Sequence, residues 1–309
     1  MNIQDKIEYN KTQALKNGWS PDWFGCTAFD EKLIQAITDF QAINGLGADG
    51  LCGSGTFRAK YTERQQHLID TTKPTTFGEY ILYKGNRIPI FWDKVVTFNE
   101  KGGRLLSKGN YSDYSNVQPR KINFFVTHWD VCLSSDSCFN VLEQRKISIH
   151  FGIDNDGTIY QWQDLEHACF HAGGKDWNHS SVGVEISNAY DLKYQEWYIR
   201  KGFGARPIVT GATCHGKKMD SFLGFYDVQL KALSALWECI SFICDIPLEL
   251  PKTKNTVDPE CVNNTFRGFC NHYHLTERKI DCAGLGLLGV SCTPCCTGVG
   301  LTIETFVSC

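Results

Sequence analysis

The sequence has no run of about 18 apolar residues, the length a membrane-crossing helix needs, and no leading apolar stretch of the kind that opens a secretory signal. Its first residues, MNIQDKIEYNKTQALKNGW, are polar. Both absences lead us to expect a chain made in the cytoplasm and not stably inserted in a membrane. An excess of charge is also missing: 31 Lys and Arg face 34 Asp and Glu, a formal net charge of -3. Affinity for a phosphate backbone comes from clustered basic residues, so nucleic acid is not an expected partner. There is no internal repeat and no low-complexity tract, which excludes a solenoid or a compositionally biased scaffold.

Cysteine, by contrast, is plentiful, at 15 residues. The number is odd and the spacings are not those of a small disulfide-stapled domain, so free thiols, small buried side chains or metal ligands are expected instead. Cys292, Cys295 and Cys296 form a C-x-x-C-C cluster, a partial match to a structural zinc site, which usually wants a second ligand pair. A content of 42% apolar residues is ample for packed cores, and 309 residues suggest about two domains.

Residues 1–70 read as a three-helix domain. Leu33, Ile34, Ile37 and Phe40 recur at helical spacing, Asn44-Gly45 and Asp49-Gly50 are turn pairs, and Thr56 is a candidate cap for the third helix. Residues 71–120 read as a linker, TTKPTT, followed by a small β segment in which Pro89 confines its strand to an edge. From Lys121 to the end, strands and helices alternate. INFFVTHWD is a buried strand, ISIHFGIDNDGTIYQW a hairpin about Asn155-Asp156-Gly157, SVGVEISNA another strand, and FYDVQLKALSALWECISFICDI a long helix with an apolar face. The fold class expected is α/β, a mixed central sheet flanked by helices.

Eight of the nine histidines lie after residue 120. His128 ends one strand, Glu185 lies on another, and NHYHLTERKID follows the long helix. A mixed sheet can bring such ends together at one edge.

These residues resemble the zinc-dependent N-acetylmuramoyl-L-alanine amidases of the phage-lysozyme and peptidoglycan-recognition type. FFVTHWD is similar to that family's first-ligand strand and SIHF to its Ser-x-His-Phe hairpin. HACFHAGG is similar to its Ala-Trp-His-Ala-Gly turn, SVGVEISN to its Ser-Ile-Gly-Ile-Glu strand, and HYHLTERKID to its closing segment. The resemblance implies Zn²⁺ held by His128, His272 and Asp281, with Glu185 as proton acceptor and Lys279 as oxyanion stabiliser. It also implies substrate contacts from His171, His150 and Asn188. Two alternatives stay open: His274 for His272, and Cys282 for Asp281, although Asp281 keeps Lys279 in the family register.

WFGCTAFDEKLIQAITDFQAINGLGADGLCGSGTFRA in turn resembles a three-helix peptidoglycan-binding domain. Together the two resemblances imply a modular, monomeric cell-wall hydrolase, a phage endolysin or virion lysin whose partner is bacterial peptidoglycan. A non-catalytic peptidoglycan-recognition protein and a virion structural protein are the competing readings.

Overall fold

The computed structural model describes residues 1–66 and 78–285. The TTKPTT linker and the Cys292, Cys295, Cys296 cluster lie outside the described residues.

The helical unit comprises α1 (Ile3–Asn17), α2 (Glu31–Ile43) and α3 (Ser54–Gln65). A capping box opens α1, with the Asn2 side chain accepting from the Asp5 amide and the Asp5 side chain from that of Asn2. The Asp30 side chain caps α2 by accepting from the Leu33 amide. Leu33, Ile34, Ile37 and Phe40 are all buried, as their spacing predicts. Gly50 is required in the turn between α2 and α3: its φ is +74°, and a Cβ there would stand 2.8 Å from Ile34 Cγ2. Buried Gln41 clamps the same turn, accepting from the Gly50 amide at 2.8 Å and donating to Leu51 O at 3.0 Å. The expectation for Thr56 is corrected here. The cap of α3 is Gly53, which has no side chain to offer, and Thr56 Oγ1 instead accepts from Gln41 Nε2 at 3.0 Å.

After the helical unit come the hairpin strands β1 (Tyr80–Tyr83) and β2 (Asn86–Pro89), then β3 (Val95–Thr97), β4 (Tyr111–Ser112), β5 (Phe124–Trp129) and α4 (Ser135–Arg145). Next are β6 (Phe151–Ile153), β7 (Ile159–Gln161), β8 (Ala168–Cys169), α5 (Lys175–Ser180), β9 (Ser181–Ile186) and α6 (Gln195–Arg200). Two short ribbons follow, formed by β10 (Ile208–Val209) with β13 (Phe222–Leu223) and β11 (Thr213–Cys214) with β12 (Lys217–Lys218). Last are α7 (Asp227–Cys244), α8 (Pro259–Val262) and β14 (Gly268–Asn271).

Six strands make the central sheet in the order β14-β5-β9-β6-β7-β3. All neighbouring pairs are parallel except the β6–β7 hairpin, so the sheet is mixed, as expected. β3 was not anticipated. It comes from within residues 71–120, beyond the small β segment expected there, and adds a parallel edge strand beside β7. Pro89 closes the separate β1–β2 ribbon, where its missing N–H costs no ladder bond.

Side-chain alternation decides what each face of the sheet does. Phe125 and Trp129 of β5 and Val182, Val184 and Ile186 of β9 pack with Leu230, Leu233, Leu236 and Ile240 of α7 in one core. Phe124 and Val126 of β5 fall in a separate cluster with Cys270 of β14. His128 has the parity of Phe124 and Val126, and Glu185 that opposite to Val182, Val184 and Ile186. Both therefore rise from the face turned away from α7.

The helical unit is docked rather than remote. Phe57 and Tyr61 of α3 belong to the same buried apolar cluster as Cys132, Cys138, Phe139 and Leu142 of the sheet-containing unit. Thr62 Oγ1 donates to Val131 O at 2.8 Å, and Lys193 Nζ donates to Asn44 Oδ1.

Candidate active site

Parallel pairing sets His128 of β5 directly opposite Glu185 of β9. On the other side of β5, β14 runs parallel with Asn271 opposite Thr127, which delivers the next residue, His272, beside His128. The two imidazole rings lie 4.5 Å apart, centroid to centroid. Asp281 closes the group: its Oδ2 is 3.0 Å from His128 Nδ1 and 3.0 Å from His272 Nδ1. One potential ligand atom from each of the three residues lies within 4.8 Å of the others, and all three side chains are buried.

The geometry favours His272 and Asp281 over the two open alternatives. His274 has no nitrogen to spare: its Nδ1 accepts from the Asn271 amide at 3.0 Å and its Nε2 donates to Thr253 O at 3.1 Å. Cys282 is fully buried in the apolar core shared with α7, whereas Asp281 turns toward the imidazoles.

Hydrogen bonding behind His128 sets its tautomer. Ser181 Oγ donates to Trp177 O at 2.6 Å, so its oxygen is left to accept from His171 Nε2 at 3.3 Å. His171 Nδ1 must then carry a lone pair, which accepts from His128 Nε2 at 3.1 Å. Burial, reinforced by His272, pushes the pKa of His128 down to about 4, and burial pushes that of His171 well below its ordinary value. Each ring is thus neutral near pH 7, with its single proton on Nε2, and the His128 Nδ1 lone pair faces a carboxylate oxygen. Burial opposes the Asp281 charge, but the neighbouring His272 holds its pKa well below the usual range. Two acceptors at 3.0 Å repel unless a cation lies between them. Two imidazole nitrogens and one carboxylate suit a divalent transition metal such as zinc, and the donor set therefore fits one.

Glu185 is 7% exposed, and its Oε2 is buried without a hydrogen-bond partner among the described residues. Burial raises its pKa well above the normal value; Arg58 and Lys279 oppose the shift, while Asp130 and Asp281 add to it. Lys279 is half-buried, and its charge acts on both His128 and Glu185. Its backbone carbonyl is anchored by His215 Nε2 at 2.7 Å.

Two of the three expected substrate contacts, His150 and Asn188, are placed in the interior, while His171 is half-buried beside His128. His171 lies behind His128, over Gly183, where a Cβ would come within 2.6 Å of the His171 ring. His150 is fully buried, with Nδ1 accepting from the Gly183 amide at 3.2 Å and Nε2 3.0 Å from His167 O. Asn188 is also fully buried, donating to Leu223 O at 2.6 Å. Satisfied internal polar groups of this kind support the site from within. Replacing His171 with alanine should therefore weaken metal affinity about 10- to 100-fold, the usual cost of losing such support, with little change in thermal midpoint. Competition with a chelator of known affinity measures the first quantity and calorimetry the second.

Sequence reading did not single out Ser181, Asp130 or Arg58. Ser181 was accessible to it, because it lies four residues before Glu185 on the same strand face. Asp130 ties the ends of β5 and β9 together, with Oδ1 accepting from the Cys132 and Asn188 amides at 2.8 and 2.9 Å and Oδ2 from Ser187 Oγ at 3.0 Å. Burial pushes its pKa up to about 7 against those bonds. Asp130, Cys132 and Cys138 also cluster closely enough to suggest a metal. Both Asp130 oxygens are already engaged, however, so the cluster serves as a strand-end clasp.

Residues 118–250 match the N-acetylmuramoyl-L-alanine amidase family. The matched stretch holds His128, His171 and Glu185 and ends before His272, Lys279 and Asp281. The chain matches no curated protein. Among solved structures it is similar to the N-acetylmuramyl-L-alanine amidase AmiD from E. coli, in complex with anhydro-N-acetylmuramic acid-L-Ala-D-γ-Glu-L-Lys. That likeness has 19% identity over 46% of this chain and 55% of AmiD, with a TM-score of 0.30. AmpDh3 from Pseudomonas aeruginosa, in complex with anhydromuramic pentapeptide, shares 16% identity over 54% of this chain and 56% of its own, with a TM-score of 0.31. The Drosophila peptidoglycan recognition protein PGRP-SA shares 15% identity over 58% of this chain and 80% of its own, with a TM-score of 0.29. The chain thus spans little more than half the length of AmiD and of AmpDh3. Among the described residues no helix is long and apolar enough to cross a membrane. On the family match, this chain carries a domain of the N-acetylmuramoyl-L-alanine amidase type.

Proposed function

We propose that the protein is a zinc-dependent cell-wall hydrolase that cleaves the amide between N-acetylmuramic acid and L-alanine in peptidoglycan. The observation that supports this most directly is the convergence of His128, His272 and Asp281 beside Glu185, on the sheet face not covered by α7. Zn²⁺, when bound, would lower the pKa of a water from 15.7 toward about 7 and polarise the scissile carbonyl. The protein's own side chains supply the rest. Glu185 Oε2, buried and unpartnered, takes the proton of the attacking water and returns it to the departing L-alanine nitrogen, a transfer worth on the order of 10² to 10⁴ in rate. The Lys279 ammonium stabilises the negative charge that develops on the carbonyl oxygen. His171 and Ser181 hold the imidazole of His128 in its ligating tautomer.

The helical unit, on its resemblance, binds the wall and concentrates the enzyme on its substrate. A phage lysin made in the host cytoplasm, released free or carried in the virion, and acting as a monomer, is the setting that suits this combination.

Incubation of the purified protein with isolated peptidoglycan tests the reading. New L-alanine amino termini should appear in step with a fall in turbidity, with no new reducing sugar. Co-sedimentation with the wall and no new amino termini, at full metal occupancy, would instead establish a non-catalytic recognition protein.

A further inference from the structure

The docked helical unit brings a charged group to the site. Thr62 of α3 is bonded to Val131, three residues after the ligand His128. Arg58 precedes Thr62 by four residues and so shares its face of the helix, one turn away. That face looks onto the carboxyl ends of β5 and β9, where Glu185 and Asp281 lie. Burial works against the Arg58 charge, but Glu185, Cys132, Cys138 and Asp281 together hold the guanidinium above its ordinary pKa. Arg145, the last residue of α4, faces the same group: burial, then Arg58, pushes its pKa down to about 10 against the pull of Glu185. Arg58 Nε is nevertheless buried with no hydrogen-bond partner, and so is Glu185 Oε2. The two opposite charges share one region without bonding to each other. A guanidinium so placed is suited to a planar oxyanion that it can grip with paired N–H donors.

We propose that Arg58 is a substrate-anchoring residue of the amidase site, supplied by the helical unit to bind the carboxylate of the stem-peptide residue that follows L-alanine. This rests on the proposed amidase function. The D-glutamyl residue at that position of the stem carries a free carboxylate, and an extended residue spans about 3.3–3.6 Å, so its charge falls close to the bond that Glu185 serves. The α3 docking surface thereby becomes one wall of the substrate site, in addition to any binding of distant wall by the helical unit.

The test uses the full-length zinc protein with two soluble fragments, N-acetylmuramoyl-L-alanyl-D-glutamate and its D-isoglutamine counterpart, which differ only in that carboxylate. Wild type should prefer the acid by about tenfold or more in kcat/KM, the scale of a charge-assisted contact. Arg58→Met should lose about 10- to 100-fold on the acid, mainly in KM, and less than about twofold on the amide. Arg58→Lys should recover part of the loss. An equal loss on both fragments with zinc content and thermal midpoint unchanged, or a wild type with no preference, overturns the assignment. If wild type cleaves neither fragment, calorimetric titration still decides the role of Arg58, and the amidase reading is decided separately on isolated peptidoglycan. Glu185→Gln should bind the acid at least about tenfold tighter than does Glu185→Gln combined with Arg58→Met; equal affinity, or no binding by either, overturns it.

Discussion

Stripping the divalent metal with a strong chelator should take amide hydrolysis below detection, and Zn²⁺ added back at one equivalent should restore it. The expectation follows from the donor set. His128 Nδ1, His272 Nδ1 and Asp281 Oδ2 form a buried cluster in which a lone pair and a carboxylate oxygen meet at 3.0 Å. His128→Ala removes one of three donors and should leave the purified protein with less than one metal per chain. The rate should fall by at least about a thousandfold, equivalent to about 4 kcal/mol of transition-state stabilisation. Asp281→Asn keeps the shape of the side chain and removes its charge, so the metal should be bound more weakly but not lost altogether. Cys282→Ala should leave metal content unchanged, because that thiol is packed in the core on the α7 side. Elemental analysis of each variant beside its rate on peptidoglycan checks all three. Full activity in metal-free protein would remove the basis of the proposed chemistry.

How much of this was legible in the sequence depended on local regularity. The two strands FFVTHWD and SVGVEISN were legible as apolar runs, which places His128 and Glu185 near strand ends; that they stand opposite each other on one face is set by the register of the parallel pair. His272 was legible only through the resemblance of HYHLTERKID to the family's closing segment, because the short strand β14 that delivers it was not read from the sequence. The choice between Asp281 and Cys282 was not, since neighbouring residues in an irregular turn can point to opposite sides and no periodicity says which. His150 and Asn188 misled for a general reason: a buried polar side chain that satisfies backbone groups carries the same letter as one that meets substrate. β3 went unnoticed because its three residues are too few to show an alternating pattern, and its partner β7 lies more than sixty residues away. Arg58 could not be found by pattern at all. Its proximity to Glu185 arises from how α3 docks on the β5–α4 connection, a tertiary event with no sequence signature.

Replacing Glu185 with glutamine should lower kcat by about 10²- to 10⁴-fold, the span expected when a positioned proton acceptor is lost, while wall binding and metal content stay as in wild type. Glutamine keeps the volume and the hydrogen-bonding reach of the side chain and removes only its ability to carry a proton between water and leaving amine. Stability should not suffer. Glu185 is buried, its pKa is raised by that burial, and Asp130 and Asp281 add repulsion that Arg58 and Lys279 only partly offset. A neutral amide avoids the cost of burying the charge, so the thermal midpoint should hold or rise slightly. Lost rate with retained or improved stability is the pattern of a functional group kept in an unfavourable place, whereas a residue that merely braced the fold would lose both together. Single-turnover hydrolysis and a melting curve on the same preparation separate these outcomes. A variant that cuts peptidoglycan at the wild-type rate would show that the proton goes elsewhere, and Glu185 would then be an electrostatic neighbour of the site only.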